Sequence, residues 1–213
     1  MNTLVTDFDG TLTRQDFYDL VRRRWPVDPQ DDPWQHYVAG RITHFQALKE
    51  IFARIRGSES DLLEEVDAME LDPDLPEAVN ALQAAGWEII VASAGCEWYI
   101  RYLLSKAGVQ LKVFANPGVF DPAAGLQMSL PPESPFFTPH TGVNKGAVVR
   151  DALARSEKVA FAGDGRPDLE SALLVPSNWR FARGWLAGAL REQGQEYIPL
   201  EGWAQVARHL LSC

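Results

Sequence analysis

The first dozen residues constrain the fold of this chain more than any other stretch. Leu4 and Val5 belong to a short β-prone run that is typical of a buried strand, and this run leads directly into Asp7-Phe8-Asp9-Gly10-Thr11. Two carboxylates therefore follow the strand, and the glycine after them allows a sharp turn. Open α/β sheets bind their ligands at this carboxyl edge. The segment predicts an α/β fold with a site at the end of its first strand.

The two carboxylates suit a division of labour in phosphoryl transfer. A carboxylate can attack phosphorus to give an aspartyl-phosphate that water later hydrolyses, and a second carboxylate can transfer the protons. In this interpretation Asp7 is the nucleophile and Asp9 is the acid and base. Asp-Gly is also a common turn dipeptide. The motif alone therefore leaves an ordinary turn as an equal alternative.

Three further stretches favour the catalytic interpretation. They are Val91-Ala92-Ser93-Ala94-Gly95, a lone Lys145 at the start of a predicted helix, and Gly163-Asp164-Gly165-Arg166-Pro167-Asp168. Together with the first motif, and in this order, they resemble the four motifs of the haloacid dehalogenase superfamily. The resemblance implies a doubly wound, mainly parallel Rossmann-like sheet and an aspartyl-phosphate mechanism.

The resemblance also implies roles for individual residues and a metal cofactor. Mg²⁺ is expected, because hard oxygen ligands suit it better than zinc, which prefers His or Cys. Lys145 is expected to neutralise charge between the nucleophile and the phosphate. The implied catalytic residues are Asp7, Asp9 and Lys145; the implied metal ligands are Asp7, Asp9 through its main-chain carbonyl, Asp164 and Asp168; the implied phosphate or substrate contacts are Gly10, Thr11, Asp16, Ser93, Ala94 and Gly95.

Ser93 is expected at the end of a strand over Trp87–Ala92, immediately before a helix over Glu97–Ala107. There its hydroxyl and the following amides could hold a phosphate oxygen, since helix N-termini favour anions. A serine that merely caps the helix is the alternative, and the two roles are compatible.

Residues 14–75 have a helical pattern throughout, with no strand-like run. Helices are predicted over 16–25, 34–39, 43–56 and 60–69, with Thr43 and Ser58 or Ser60 as N-caps. The segment is similar to the helical cap of the phosphoserine-phosphatase-like branch of the superfamily, where a lid would shield the reaction from water. We therefore expect an α/β core of residues 1–13 and 76–213 and a cap of residues 14–75.

Composition limits the partners of the chain. A net charge of −9 and a pI near 4.9 argue against a nucleic-acid-binding face. Cys96 and Cys213 imply no disulfide framework, and no leader-like or membrane-length apolar run is present. We expect a cytoplasmic monomer or homodimer acting on a small phosphorylated metabolite, without membrane or nucleic-acid partners. The histidines, which lack ligand spacing, are expected on the surface or in loops: His36, His44, His140 and His209.

Within the branch, the chain is similar to the methionine-salvage phosphatases that hydrolyse 2-hydroxy-3-keto-5-methylthiopentenyl-1-phosphate. The similarity rests on the four motifs, on Trp98-Tyr99 after the second motif and on looser likeness near the C-terminus. A thioether tail would suit Phe17, Tyr18 and Trp98, although core packing explains these residues equally well.

Several alternatives for the substrate remain open. Phosphoserine phosphatases have a glutamate nine residues after the nucleophile and an arginine in the cap; here those positions hold Asp16 and, at or near the second, Ile51. Pro167 also stands where those enzymes have an asparagine near the metal. Phosphoserine or another small phosphomonoester is the enzymatic alternative, and a non-catalytic phosphate-binding module on the same fold is the other.

Overall fold

A six-stranded parallel sheet forms the centre of this computed structural model, which describes residues 1–212. Cys213, one of the two cysteines considered above, lies outside the described residues, and Cys96 is a buried free thiol. The strands in chain order are β1 (Asn2–Thr6), β2 (Trp87–Cys96), β3 (Lys112–Asn116), β4 (Gly118–Asp121), β5 (Gly125–Met128), β6 (Phe137–Thr138), β7 (Gly142–Val143), β8 (Lys158–Gly163), β9 (Arg180–Ala182) and β10 (Ile198–Pro199).

Helices surround the sheet and fill the segment after β1. In chain order they are α1 (Phe17–Arg24), α2 (Pro33–Val38), α3 (His44–Phe52), α4 (Glu59–Asp67), α5 (Leu75–Ala84), α6 (Glu97–Lys106), α7 (Lys145–Arg155), α8 (Leu169–Leu174), α9 (Gly184–Glu192) and α10 (Trp203–Leu211). Across residues 1–212, no helix combines the length and the apolar character needed to span a bilayer.

The order of the central sheet is β10-β9-β8-β1-β2-β3, and every pair in it is parallel. The chain proceeds from β1 to one side through β2 and β3, and later to the other side through β8, β9 and β10. β1 therefore stands where the winding reverses, which is the position at which open α/β sheets form a ligand crevice. The predicted doubly wound, mainly parallel fold is confirmed.

Side chains of β1 alternate between two apolar layers because successive residues of a strand face opposite sides of a sheet. Leu4 belongs to the layer that includes Ile89 and Val91, whereas Val5 belongs to the layer that includes Ile90 and Phe161. Helices α5 and α10 contribute to the first layer, and α7, α8 and α9 contribute to the second. Burial on both faces explains why the adjacent residues Leu4 and Val5 of β1 are both apolar.

The segment between β1 and α5 contains α1 to α4 and no strand, as expected. Thr43 and Ser58 cap α3 and α4, and each forms a capping box with a residue three positions later, Gln46 and Asp61. The two ends of the segment meet at a single antiparallel bridge between Thr13 and Leu71. The division of the chain into core and cap domains at these points stays a prediction.

The carboxyl end of β2 differs from the expectation. The strand continues to Cys96 instead of ending at Ala92, with a shift of register against β3 between these two residues. The cap residue of α6 is Cys96, which makes no side-chain capping bond. Ser93 therefore lies within an extended strand end and is not at the start of the helix. Two-residue strands β6, β7 and β10 and the short helix α8 were not predicted, because elements of that length have too few residues to show a periodic pattern.

Trp203 fastens α10 to the central strand. Its side chain is completely buried, and its indole N–H donates to Thr6 Oγ1 at 3.0 Å. The helix follows β10 at the end of the chain, so this contact joins the last element to the first strand. A large buried aromatic side chain with a satisfied polar group is expected to contribute strongly to stability.

We predict that Trp203→Ala lowers the free energy of unfolding by about 3–5 kcal/mol, because it leaves a large cavity and removes the hydrogen bond from the indole to Thr6 Oγ1. Urea unfolding at pH 7.5 measures the loss. Leu211→Ala on the same helix is the matched control, since Leu211 is 45% exposed. It should change stability by less than about 0.5 kcal/mol. Equal effects of the two substitutions would contradict an anchoring role for Trp203.

Candidate active site

A cavity of about 300 Å³ lies between the carboxyl edge of the sheet and the helical segment. Its floor comes from loops and strand ends of the sheet, and its roof comes from α1, α2 and α3. From the floor side it is lined by Asp7, Asp9, Ser93, Ala94, Gly95, Tyr99, Lys145, Asp164, Gly165, Arg166, Pro167 and Trp185, and from the roof side by Asp16, Tyr18, Asp19, Trp34, His44, Leu48 and Phe52.

Lys145 joins two carboxylates at the floor of this cavity. Its Nζ lies 2.8 Å from Asp7 Oδ1 and 2.7 Å from Asp168 Oδ1, and all three side chains are buried. Burial by itself would lower the pKa of Lys145, but the carboxylates of Asp168 and Asp7 outweigh it and hold the pKa above its ordinary value. The lysine is therefore a fixed positive charge. It is the first residue of α7, as the sequence predicted.

Asp164 brings a third carboxylate to the same point. Carboxylate oxygens of Asp7, Asp164 and Asp168 lie within 4.8 Å of one another. Burial, followed by the charge of Asp168, raises the pKa of Asp7 well above its usual range and that of Asp164 to about 7. One ammonium group thus faces three carboxylates, and the excess negative charge is unfavourable in a buried site.

This donor set fits a divalent cation. The ligand atoms are hard oxygens on residues that have too much negative charge for the single lysine, and Mg²⁺ prefers such oxygens. Asp168 is the most constrained of the three, since its Oδ2 also accepts the main-chain N–H groups of Asp164 and Gly165 at 3.1 and 2.9 Å. It holds both the lysine and the Asp164 loop in place.

Asp9 lies beside this cluster and has different partners. Its Oδ1 accepts the hydroxyl of Tyr99 at 2.8 Å, and its Oδ2 accepts the hydroxyl of Ser93 at 3.2 Å. Burial raises the pKa of Asp9, and the two hydroxyl groups oppose that shift. The side chain of Asp9 is not part of the three-carboxylate group. Its predicted ligation of a metal through the main-chain carbonyl stays a prediction.

Ser93, Ala94 and Gly95 line the cavity from the irregular end of β2. Ser93 Oγ accepts a hydrogen bond from the amide of Gly95 at 2.9 Å, so the serine side chain contacts the backbone two residues further along the strand. A Cβ on Gly95 would lie 2.0 Å from the Tyr99 hydroxyl and 2.6 Å from Asp9 Oδ2. Only glycine leaves room for these two groups to meet.

Gly10 and Thr11 do not line the cavity. Gly10 has φ +66°, and a Cβ there would lie 2.4 Å from Asp164 Oδ2. Thr11 Oγ1 donates to Asp164 Oδ1 at 3.2 Å. Arg183 bonds the carbonyls of Gly10 and Thr13 through its guanidinium. The structure thus places this turn behind Asp164, and its predicted contact with phosphate stays a prediction.

Asp16 lies at the roof side of the cavity, at the N-cap of α1. Its Oδ1 accepts the amide of Tyr18 at 3.0 Å, and no ion pair to it is formed within residues 1–212. Burial, with added repulsion from Asp9 and Asp164, raises the pKa of Asp16 well above its usual range. The cavity therefore contains a carboxylate that has no cationic partner among residues 1–212.

The aromatic residues separate into cavity wall and core. Tyr18 and Trp34 stack with ring centroids 4.1 Å apart and both line the cavity. Phe17 is fully buried against Tyr99 and Phe52, and Trp98 packs on Phe120 away from the cavity. Of the three residues considered for a thioether pocket, only Tyr18 lines it.

His44 was wrongly expected on the surface. It is 6% exposed, lines the cavity, and its Nδ1 has no hydrogen-bond partner in the described part of the chain. Trp34 and Tyr37 contact its ring edge-on. His44 and Leu48 are four residues apart on α3 and share one helix face, so the helical spacing to a cavity-lining leucine was the available signal. For Tyr99 no comparable signal exists, because its partner Asp9 is distant in the sequence.

Comparison with known proteins agrees with this geometry. The family model for haloacid dehalogenase-like hydrolases matches residues 4–172, and the chain belongs to that family. A 2-hydroxy-3-keto-5-methylthiopentenyl-1-phosphate phosphatase of Microcystis aeruginosa (strain NIES-843 / IAM M-2473) is 23% identical over 206 residues, which are 96% of this chain and 95% of that protein. A phosphoserine phosphatase of Vibrio cholerae serotype O1 (strain ATCC 39315 / El Tor Inaba N16961) is 26% identical over 102 residues, 47% of this chain and 31% of that protein.

Among solved structures, a substrate-bound phosphoserine phosphatase complex superposes with a TM-score of 0.64 at 15% identity, covering 99% of this chain and 96% of that one. At this identity the likeness shows the fold. The predicted family resemblance is confirmed, and the family and its named relatives support the predicted enzyme class, a hydrolase acting on phosphoric monoesters.

Burial of His44 predicts a pH effect on stability. Burial lowers its pKa to about 3, with smaller contributions from Lys145 and His140, whereas an unfolded histidine titrates near 6.5. The neutral ring therefore stabilises the fold above pH 6.5, and this contribution is lost as the pH falls toward 3. From pH 7.5 to 5.0 the loss amounts to about 2 kcal/mol. Urea unfolding of His44→Phe should show a correspondingly weaker decline over this range, and parallel declines in the two proteins would contradict the prediction.

Proposed function

We propose that this chain is a Mg²⁺-dependent phosphomonoesterase that hydrolyses a small phosphorylated metabolite through an aspartyl-phosphate on Asp7. One observation carries the proposal. At the point where the sheet winding reverses, a buried carboxylate is held by a fixed lysine, and a second carboxylate with hydroxyl partners faces the same cavity. Binding alone would not need the second carboxylate, which argues for a catalyst over a phosphate-binding module.

Asp7 is oriented for attack by its own hydrogen bonds. Its Oδ1 accepts the Phe8 amide at 2.7 Å and pairs with Lys145 at 2.8 Å. Oδ2 is thereby left to attack phosphorus. A new bond forms from Asp7 to phosphorus as the bond from phosphorus to the leaving oxygen breaks, and Asp9 gives that oxygen a proton. Asp9 then takes a proton from water, which attacks phosphorus, and phosphate leaves Asp7 regenerated.

Mg²⁺ would be held by Asp7, Asp164, Asp168 and the main-chain carbonyl of Asp9, and when bound it would balance charge on the transferring phosphoryl group. Lys145 adds a fixed positive charge at the same place. Together these charges offset the repulsion between the carboxylates and an incoming phosphate dianion.

The helical segment supports a role as a lid. We propose residues 14–75 as the cap domain and residues 1–13 with 76–213 as the core, because the roof of the cavity comes from α1, α2 and α3. Tyr18, Trp34 and Leu48 form the apolar part of the roof, which would exclude bulk water from the phosphoryl-transfer site. Cytoplasmic location and a monomeric or dimeric state stay predictions from the sequence.

The enol-phosphate of methionine salvage is the first candidate substrate. The alignment with the Microcystis enzyme spans nearly all of both chains, and an apolar roof suits a thioether tail. Phosphoserine phosphatases have a cap arginine at or near the position of Ile51, and Ile51 is buried and apolar. The two arginines nearby have other partners: Arg54 donates to the Asp31 carbonyl, and Arg56 donates to the Ala53 and Ile55 carbonyls. This arrangement disfavours phosphoserine.

An amine-bearing phosphomonoester is the second candidate, and one observation favours it. Asp16 presents a carboxylate to the cavity with no cationic partner in the described part of the chain, next to the stacked rings of Tyr18 and Trp34. A substrate ammonium would pair with the carboxylate and pack against the aromatic faces.

Phosphate release from a panel of esters with and without Mg²⁺ tests the proposal. The panel contains the methionine-salvage enol-phosphate, phosphoethanolamine, phosphoserine and p-nitrophenyl phosphate. We predict a kcat/KM for the enol-phosphate at least about a hundredfold above that for phosphoserine, which is about 2.7 kcal/mol of transition-state discrimination. Preference for phosphoethanolamine would select the second candidate. No release from any ester in the presence of Mg²⁺ would refute the catalytic proposal.

Asp7→Asn separates catalysis from binding. We predict at least a thousandfold fall in kcat, because an amide cannot form the phosphoryl ester, with little loss of substrate binding by calorimetry. Asp151→Asn is the matched control, since Asp151 is exposed on α7 and pairs only with Arg155. Undiminished turnover in Asp7→Asn would exclude Asp7 as the nucleophile.

A further inference from the structure

Tyr99 reaches the catalytic cavity from the first turn of α6 and is completely buried. Its ring packs among Phe17, Phe52 and Phe8, with centroids 4.5, 6.2 and 6.5 Å away. Three aromatic neighbours leave the ring little freedom to move. The position of the hydroxyl group is therefore set by the core and does not depend on a bound ligand.

That hydroxyl makes the shorter of the two bonds to Asp9. It donates to Oδ1 at 2.8 Å, whereas Ser93 donates to Oδ2 at 3.2 Å. Gly95 passes so close to both groups that any side chain at this position would separate them. The helix and the strand end thus hold different oxygens of one carboxylate, with Tyr99 at Oδ1 and Ser93 at Oδ2.

We propose that Tyr99 is a positioning residue that assigns different roles to the two oxygens of Asp9. Oδ1 is permanently occupied as the acceptor of the Tyr99 hydroxyl, and Oδ2, which is held less tightly, carries the proton that moves. The proposal rests on the phosphomonoesterase function described above and deepens it.

The proton balance follows from this assignment. In the first step the Oδ2–H bond breaks and the proton joins the leaving oxygen as its bond to phosphorus breaks, which leaves Asp9 as a carboxylate. The hydroxyl of Tyr99 stabilises that carboxylate and keeps its own proton. In the second step Oδ2 takes a proton from water as the water oxygen bonds to phosphorus, and the bond from Asp7 to phosphorus breaks, which releases phosphate and restores the Asp7 carboxylate. Tyr99 remains neutral throughout and determines only the orientation of the carboxylate.

Tyr99→Phe tests the proposal by removing one hydroxyl group, and the readout is the dependence on the leaving group. p-Nitrophenolate leaves readily without a proton, whereas phenolate is a poorer leaving group and needs one more. kcat/KM reports the steps up to departure of the leaving group. We expect kcat/KM for phenyl phosphate to fall by about ten- to a hundredfold, and that for p-nitrophenyl phosphate by less than about threefold.

Two further variants separate positioning from a structural role. Tyr102→Phe removes a hydroxyl from the same helix, where it touches Asp67 at the surface, and should change neither ester. Asp9→Asn removes the proton carrier, and adding Tyr99→Phe to it should cause no further loss, because the hydroxyl acts only through Asp9.

The outcomes are distinguishable. Equal losses for both esters, or additive losses with Asp9→Asn, would overturn the positioning role while leaving the phosphatase function intact. A selective loss for phenyl phosphate that disappears in the Asp9→Asn background would support the role. If the unmodified protein releases phosphate from no ester of the panel above with Mg²⁺, the proposed function fails and the role of Tyr99 fails with it.

Discussion

The buried contact of Lys145 with Asp7 and Asp168 is the interaction on which the site depends. Three carboxylates converge where β1 and β8 end, and without the lysine their repulsion would oppose folding as well as substrate binding. Removing one partner from a buried ionic group is costly, because the remaining charges stay out of water without compensation. The same repulsion among the carboxylates favours the binding of a cation between them.

The order of the strands explains how a few side chains are sufficient to form the site. β1 lies in the middle of the sheet, so the residues after it receive a neighbour from each side: the end of β2 brings Ser93 to Asp9, and the end of β8 brings Asp164 to Asp7. Groups that are far apart in the chain meet without long or irregular loops. Arg183, after β9, then fixes the turn at Gly10 from behind. Each strand end places one or two side chains of the site, and the spacing of the strands sets the distances between these side chains.

The sequence predicted most strands of the sheet, the helical segment and the charged residues at the floor of the cavity, but it missed β10 and the end of β2. Asp7, Asp164 and Lys145 could be located because, in order along the chain, they match the motifs of the haloacid dehalogenase superfamily at the ends or starts of predicted elements. Tyr99 could not be located in this way, since a bond between a helix and a distant turn leaves no periodic trace. His44 was misplaced because a polar residue on an apolar helix face is interpreted as exposed unless the cavity beside it is known.

The bridge between Thr13 and Leu71 has a consequence for how such a protein can diversify. Because the helical segment leaves and rejoins the sheet at adjacent points, its length and sequence can change without moving the strand ends that hold the charged residues. The residues at the strand ends and the residues of the helical segment can thus vary independently in one chain. The residues that form the roof of the cavity can therefore change while the charged residues at its floor keep their positions.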